Sequence, residues 1–428
     1  MEKSDWIFPS FIEIINMNYI EKGIGFMKFS SLPPKGTFDA VPKEMELRNY
    51  VTEVISNTYK ARGFMQIETP MIENLDLITN SDGGENLRLI FKILKRGEKL
   101  SIPEGTEVDE NTLCDLALRF DLTLPLSRFY AKNRNDLPSP FKAFQMGYAF
   151  RAERPQKGRF RQFIQSDVDI IGDNSIFAEI SVLKTVSKAL NELGFGNSTI
   201  KINDRRLLRE VIEQAGLGEL FETVCITLDK LDKVGEEGVK KELLEKDIAQ
   251  GKVEELLASL ISLKEEGLSK SSSPYAIELA QIMEAVGRNF KIEFDPSLVR
   301  GMGYYTGPIY EIVSDEFKSS IGGGGRYDNL MTKFQKEPIP AVGFSIGFER
   351  IVQILNDRGF EIPNKGKNIA LLVKDIGKFT EAETLAEQLI KKGNVASIFS
   401  IEGVNPNKIG KKINSFEKQG FDEVQVIE

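Results

Sequence analysis

The chain has no histidine in its 428 residues. That absence removes every serine–histidine or cysteine–histidine nucleophile system, every histidine metal site and every histidine general base. Cysteine is almost as scarce. Cys114 and Cys225 are the only two, and their wide separation argues against a disulfide framework or a thiolate metal site. No apolar run approaches the roughly 18 residues of a membrane span. The opening Met-Glu-Lys-Ser-Asp has no long apolar core and does not read as a secretory signal. The net charge of −8 rules out a globally basic nucleic-acid coat but leaves room for a local basic patch. Neither a phosphate loop ending in Gly-Lys-Ser/Thr nor a dinucleotide fingerprint occurs, so a nucleotide, if bound, is held by some other fold. Chemistry is left to carboxylates, guanidiniums, lysines, tyrosines, bound ions or the substrate itself.

What is present is the balance of a globular chain, with 41% apolar and 28% charged residues, and a length that suggests about two to three domains. Residues 1–30 read as an N-terminal extension. Met27 opens a second candidate start, and an ordered N-terminal arm is the alternative. Pro42 begins a helix with Leu47, Val51 and Val54 at helical spacing, and Gly63 stops it. A strand from Phe64 then ends at Pro70. This helix–strand pair suits either a dimer interface or an ordinary buried pair. Residues 116–130 alternate polar Arg119, Asp121 and Thr123 with apolar neighbours, the period of a strand. Residues 143–171 predict an antiparallel hairpin with a long tip, in which Phe163, Gln165, Asp167 and Asp169 share one face. Its tip carries five cations, Arg151, Arg154, Lys157, Arg159 and Arg161, against Glu153 alone. In an acidic chain that local excess favours an anionic ligand. Residues 200–293 read as an inserted helical module between two parts of a core, 31–199 and 294–362. Residues 322–325 are four successive glycines, which permit close backbone approach. A strand leads into a helix near Gly347 that carries Arg350. Beyond a linker, 368–428 reads as a small separate α/β module.

The fragments state two binding needs. Arg151, Arg300 and Arg350, beside apolar or glycine-rich strands, suit a polyphosphate. Asp121, Asp169 and Gln165, with Tyr304 and Tyr305, suit a small cationic ligand such as an amino acid with a basic ring. A carboxylate attacking a nucleotide α-phosphate needs alignment and charge stabilisation, and no protein base.

Motif by motif, the chain resembles histidyl-tRNA synthetases, which are class II aminoacyl-tRNA synthetases. Leu-Arg-Phe-Asp-Leu-Thr (118–123) is similar to the family's strand for the substrate α-amino group. Residues 150–163, Phe-Arg-Ala-Glu-Arg-Pro-Gln-Lys-Gly-Arg-Phe-Arg-Gln-Phe, resemble motif 2. Arg-Gly-Met-Gly-Tyr-Tyr-Thr-Gly (300–307) and Gly-Gly-Arg-Tyr-Asp (324–328) resemble the two histidine-specific signatures. Gly-Phe-Glu-Arg (347–350) resembles motif 3, and Pro70 stands where the motif 1 proline belongs.

The resemblance implies an α+β fold: an antiparallel sheet flanked by helices, with a helical insertion and a shortened anticodon-binding-like domain. It implies a cytoplasmic, homodimeric histidine–tRNA ligase that uses ATP and Mg2+ and acts on L-histidine and tRNA(His), away from membranes. At matching positions, Arg151 would hold the ATP α-phosphate and the amino-acid carboxylate. Glu153 would meet the adenine amino group, and Phe163 and Arg350 would sandwich its ring. Arg300 would face the α-phosphate from the opposite side, where other class II enzymes use a metal. Asp121, Thr123 and Gln165 would grip the α-amino group. Asp169 and Tyr305 would read the imidazole, with Tyr304 beside them. Arg154, Gln156 and Arg161 would meet the tRNA acceptor end.

Three positions depart from the family pattern. Ala152 and Ile164 replace common histidines, and Gly303 replaces an aspartate. Two other readings share the resemblance: a non-catalytic regulatory subunit of ATP phosphoribosyltransferase, and a paralogue that adenylates histidine without charging tRNA.

Overall fold

The computed structural model describes residues 30–79, 88–100, 108–156, 158–300 and 303–428. The N-terminal extension up to residue 29, with Met27, lies outside the described residues, as do Lys157, Gly301 and Met302. The chain divides into two compact units, one ending at Ile354 and the other running from Leu355 to Glu428. In their chain order the strands are β1 (Met65–Gln66), β2 (Ile72–Asn74), β3 (Lys92–Leu94), β4 (Cys114–Leu118), β5 (Phe141–Phe150), β6 (Gln162–Ile171), β7 (Thr199–Asp204), β8 (Lys291–Phe294), β9 (Pro308–Ser314), β10 (Phe317–Arg326), β11 (Ala341–Ile346), β12 (Asn368–Val373), β13 (Val395–Ser400) and β14 (Glu423–Ile427).

The first unit is built on an eight-stranded sheet in the order β1-β5-β6-β11-β10-β9-β7-β8. Only the outer pairs β1–β5 and β7–β8 are parallel. Because side chains alternate along each strand, the sheet has two chemically different faces. On one face Ile202, Tyr310, Phe344, Val168 and Phe144 are all buried. A fully buried side chain of this size contributes about 1.5–3 kcal/mol. Helix Ile176–Glu192 packs on β6 and β11 and helix Pro274–Gly287 on β7 and β8, while helix Pro42–Ala61 packs on Ile176–Glu192. Pro42–Ala61 starts with proline in its first turn and buries Leu47, Val51, Ile55 and Tyr59, four residues apart.

The other face is polar and glycine-rich, and its composition follows the strand register. Lys201 (β7), Glu311 (β9), Gly323 (β10), Ser345 (β11), Asp167 (β6) and Gln145 (β5) are successive cross-strand partners. Directly opposed residues project to the same side. The next row on that side runs Asn203, Ile309, Gly325, Gly343, Asp169 and Ala143.

Two sequence readings change. Residues 116–130 are not one strand: β4 stops at Leu118, and Thr123–Asn133 is helical. Asp121 ends the alternation, because its carboxylate accepts the Leu124 N–H at 3.1 Å. Pro125 then fits the first turn, where a missing N–H costs nothing. The segment read as a helical module over 200–293 starts inside β7 and ends inside β8, both strands of the large sheet. Between them the helices gather around Leu208, Val224, Leu243, Val253 and Leu256.

In the second unit β12 lies between β13 and β14, parallel to both. Ile369, Leu371 and Val373 meet Ala382 and Ala386 of helix Phe379–Lys391. Ala370 and Leu372 meet Phe416 of helix Ile409–Lys418. A parallel strand covered on both faces is a near-continuous apolar run, as this one is from Ile369 to Val373.

Candidate active site

A cavity of about 350 Å³ opens on the polar face of the large sheet. Asp121, Asp167 and Asp169 lie on its floor, all buried. Asp169 Oδ1 accepts the Tyr327 hydroxyl at 2.6 Å, while Oδ2 is buried without a hydrogen-bond partner. Across the register, Gly343 makes room, since a Cβ there would overlap Asp169 Oδ1. Burial drives the Asp169 carboxyl well above the usual carboxylate range, and the neighbouring Asp167 adds to this. Burial likewise pushes Asp167 up to about 7; the Ser345 hydroxyl, Arg151 and Arg119 oppose the rise and Asp121 reinforces it. Burial also raises Asp121.

Beside the carboxylates, Gln165 Nε2 donates to Ser345 Oγ at 3.3 Å, and Gln165 Oε1 is a second buried acceptor without a partner. Buried polar atoms are rarely left unsatisfied. The floor therefore calls for a ligand rich in N–H donors and positive charge. Thr123, at the start of its helix, lines the same floor. The wall is aromatic: the rings of Tyr304 and Tyr305 are 4.8 Å apart, and Tyr304 meets Tyr327 edge-on at 6.0 Å. Burial holds the hydroxyls of all three protonated.

The rim carries the opposite charge. Arg151 Nε donates to Phe120 O at 3.0 Å, and its guanidinium lies 5.1 Å from the Phe163 ring centre. Arg159 faces Glu153 at 3.7 Å. Arg300 pairs with Glu311 at 3.4 Å and lies across Gly323, where a Cβ would overlap its guanidinium. Arg350, three residues into its helix, hydrogen-bonds the Ser320 carbonyl. Burial pushes Arg350 down to about 10, and crowding by Arg159, Arg300 and Arg151 adds to the shift. Four guanidiniums that repel one another around one opening favour a polyanion. The rim is braced from beneath. Arg48 forms a bidentate pair with Glu349 at 2.7 and 2.8 Å, and Glu349 also accepts the Ile164 N–H.

The structure thus brings together Asp121, Thr123, Arg151, Glu153, Phe163, Gln165, Asp169, Arg300, Tyr304, Tyr305 and Arg350 around one cavity. Arg154, Gln156 and Arg161 are not among its lining residues. Arg154 and Gln156 are exposed on the hairpin tip. Arg161 is occupied locally, donating to Glu153 O at 3.2 Å and Lys35 O at 3.3 Å. Sequence reasoning does not single out Asp167, Arg159 or Tyr327. Asp167 was legible in kind, since it shares the polar face of β6 with Gln165 and Asp169, and Arg159 belongs to the counted cations of the tip. Tyr327 falls inside the Gly-Gly-Arg-Tyr-Asp signature, but its role there is not legible, because its partner Asp169 is brought to it by the sheet.

An antiparallel sheet with an arginine rim, a carboxylate floor and a basic hairpin tip is the catalytic plan of a class II aminoacyl-tRNA synthetase. Residues 36–351 match the family described as Histidyl-tRNA synthetase. The chain belongs to the histidyl-tRNA synthetase family. It is 39% identical to a histidine–tRNA ligase of Leifsonia xyli subsp. xyli, over 80% of this chain and 83% of that one. It is 35% identical to a histidine–tRNA ligase of Christiangramia forsetii, over 91% of this chain and 90% of that one. The histidyl-tRNA synthetase structure from Nostoc sp. PCC 7120 superposes with a TM-score of 0.74 at 26% identity, covering 92% of this chain and 90% of that one. A Bacillus halodurans C structure, described as an ATP phosphoribosyltransferase regulatory subunit/histidyl-tRNA synthetase, shares the fold: TM-score 0.75 at 20% identity, over 93% of this chain and 98% of that one.

Proposed function

We propose that the protein is a histidine–tRNA ligase, which activates L-histidine with ATP and transfers it to tRNA(His). The observation that carries this reading is one cavity holding a four-arginine rim over a three-carboxylate floor. The floor takes the imidazole and the ammonium, and the rim takes the triphosphate. Asp169 Oδ2, free of other partners, accepts an imidazole N–H, and Tyr305 flanks the ring. Asp121, Thr123 and Gln165 receive the α-ammonium.

Arg151 holds the substrate carboxylate against the α-phosphate. One carboxylate oxygen attacks phosphorus, the bond to the β-phosphate oxygen breaks, and histidyl-adenylate and pyrophosphate form. Arg300, on the opposite side, meets the charge that grows on the α-phosphate oxygens, and a preset cation of this kind acts mainly in the transition state. Glu153 meets the adenine amino group, and Phe163 with Arg350 encloses the ring. Magnesium enters with the nucleotide, as MgATP. In the second step the terminal ribose hydroxyl of the tRNA attacks the acyl carbon and AMP leaves. Arg154, Gln156 and Arg161 lie on the hairpin tip that meets the acceptor end.

No histidine side chain is needed at any step, in keeping with the composition. No helix among the described residues is long and apolar enough to cross a membrane, and a cytoplasmic site of action follows from the tRNA substrate. Exposed Met45, Met65, Met71 and Ile72 along the first helix–strand segment support a homodimer. Light scattering at micromolar concentration should give twice the chain mass, and a monomer mass would refute that part.

The test of function is histidine-dependent exchange of pyrophosphate into ATP, followed by charging of tRNA(His). Exchange and charging are both expected. Exchange without charging would reduce the protein to an adenylating paralogue, and no exchange would leave a regulatory subunit.

A further inference from the structure

Arg300 can meet the α-phosphate only if its guanidinium is aimed, and its holds inside the cavity are slight. The ion pair with Glu311 is 3.4 Å long and partly exposed, and such pairs hold weakly. Gly323 gives room without grip. The aim has to come from the backbone that leads into Arg300.

That backbone is tied down residue by residue. The chain leaves β8 at Phe294 and turns at once. The Asp295 N–H donates to Ile202 O at 2.9 Å, and the Asp295 carboxylate accepts the Ser297 N–H at 3.1 Å and the Ser297 hydroxyl at 2.6 Å. Two β7 side chains on the polar face clamp the turn. Lys201 Nζ donates to Asp295 Oδ2 at 3.0 Å. Asn203 Nδ2 donates to Pro296 O and to Leu298 O, at 3.0 Å each. A side-chain amide has two N–H donors, and the buried Asn203 gives both to this stretch. Leu298 and Val299 follow, both buried. Val299 belongs to the core of the helices between β7 and β8, with Leu208 and Val211 of helix Arg205–Gln214 and Val253 and Leu256 of helix Gln250–Glu266. Arg300 is the next residue, its Cα about 3.8 Å further on.

We infer that Val299 is a positioning residue for adenylate formation: seated among those helices and squared by Asn203, it fixes where the Arg300 side chain starts. The inference rests on the histidine-activating reading above and deepens it, because it makes the helices between β7 and β8 part of the mounting of Arg300. Val299 does not line the cavity, so it acts only through its neighbour. The histidine wall is anchored elsewhere. Tyr304 and Tyr305 pack against the cluster that holds Tyr327 and Leu330, not the one that holds Val299. Loosening Val299 therefore disturbs the arginine and spares the amino-acid pocket.

The experiment is a double-mutant cycle on the full-length protein: parent, Val299→Ala, Arg300→Ala and the two combined. Pre-steady-state adenylate formation and the KM for histidine are read for each. Val299→Ala should slow adenylate formation about tenfold or more, since a misplacement of about 1 Å can cost 10²-fold, and change the KM for histidine by less than about twofold. In the Arg300→Ala background the same substitution should slow the step by less than about twofold, because a residue that acts through another loses its effect with it. No slowing in the parent, equal slowing in both backgrounds, or a matching rise in KM overturns the inference. If Val299→Ala does not fold, Asn203→Ala carries the same comparison, since it releases the same stretch and leaves the helical core intact. Histidine-dependent pyrophosphate exchange by the parent separates two failures. With exchange present and the cycle additive, only the positioning role is refuted; with exchange absent, the functional reading falls and takes the inference with it.

Discussion

The two ends of the cavity handle charge in opposite ways. The Arg159 side chain at the rim is 45% exposed, whereas Asp167 on the floor is 4% exposed. Rim cations are propped by carbonyl oxygens of Phe120 and Ser320 and by the carboxylates of Glu153 and Glu311. Floor carboxylates are buried beside one another, with acceptors left over. The rim therefore carries a standing charge, present with or without a ligand. The floor carries a conditional one, which develops fully when a ligand brings the matching cation. Such a pocket commits its acidic end only to a partner that can satisfy it, and this kind of site rejects analogues strongly.

The sharpest way to break this comparison is at the rim. Arg300→Ala should slow adenylate formation by about 10²–10³-fold, as loss of a transition-state donor does elsewhere, with little change in the KM for histidine. Pre-steady-state adenylate formation checks this, and unchanged turnover would remove Arg300 from the reaction.

Next come two glycines that hold the ends apart. Gly323→Ala forces the Arg300 guanidinium to move, and Gly343→Ala forces Asp169 Oδ1 to move. Each misplacement is expected to cost about 10²-fold, but in different constants. The first should lower kcat, and the second should raise the KM for histidine. Identical kinetic signatures from the two variants would mean that rim and floor do not act separately.

A smaller effect should appear in stability. A carboxyl whose folded value is raised costs stability as pH climbs from its unfolded value, about 3.9, to its folded one, about 7 for Asp167. Above that the cost is constant. Ligand-free Asp167→Asn should thus gain in Tm relative to the parent between pH 4 and pH 7, and hold that gain at pH 8. A Tm difference that is the same at pH 5 and pH 8 would contradict a protonated Asp167. Smallest of all, Arg288→Ala removes an exposed pair with Glu284 and should change stability by less than about 0.5 kcal/mol, which denaturant titration can check.

Much of this architecture was readable from residue pattern alone. Alternation along residues 163–169 announces a strand with a polar face, because nothing local competes with it, and β6 is that strand. The same alternation misleads at residues 119–124. Six residues cannot distinguish a strand from a chain about to turn into a helix, and the Asp121 hydrogen bond to Leu124 N decides the matter. β7 and β8 are short and flank helices, so their place in the sheet is set by pairing with β9 and with each other, which no local window contains. Helix Ile409–Lys418 buries only Phe416 among its own residues, with Ile409 and Ile413 packed half-buried at the same helical spacing. At the site, the residue types are legible and the partnerships are not. The purpose of Gly323 and Gly343 is visible only once Arg300 and Asp169 lie across them.

The row linking Glu311, Gly323, Ser345 and Asp167 has a consequence for how the protein can fail. A slip of β6 by one residue against β5 and β11 would send Asp167 and Asp169 to the oily side and bring Ser166 and Val168 into the cavity. Such a chain would retain its strands, its helices and its bulk spectroscopic signature, yet find neither end of its ligand. Turnover per mole of refolded protein is accordingly a gauge of strand alignment, and a preparation that looks native by circular dichroism can still be catalytically blank.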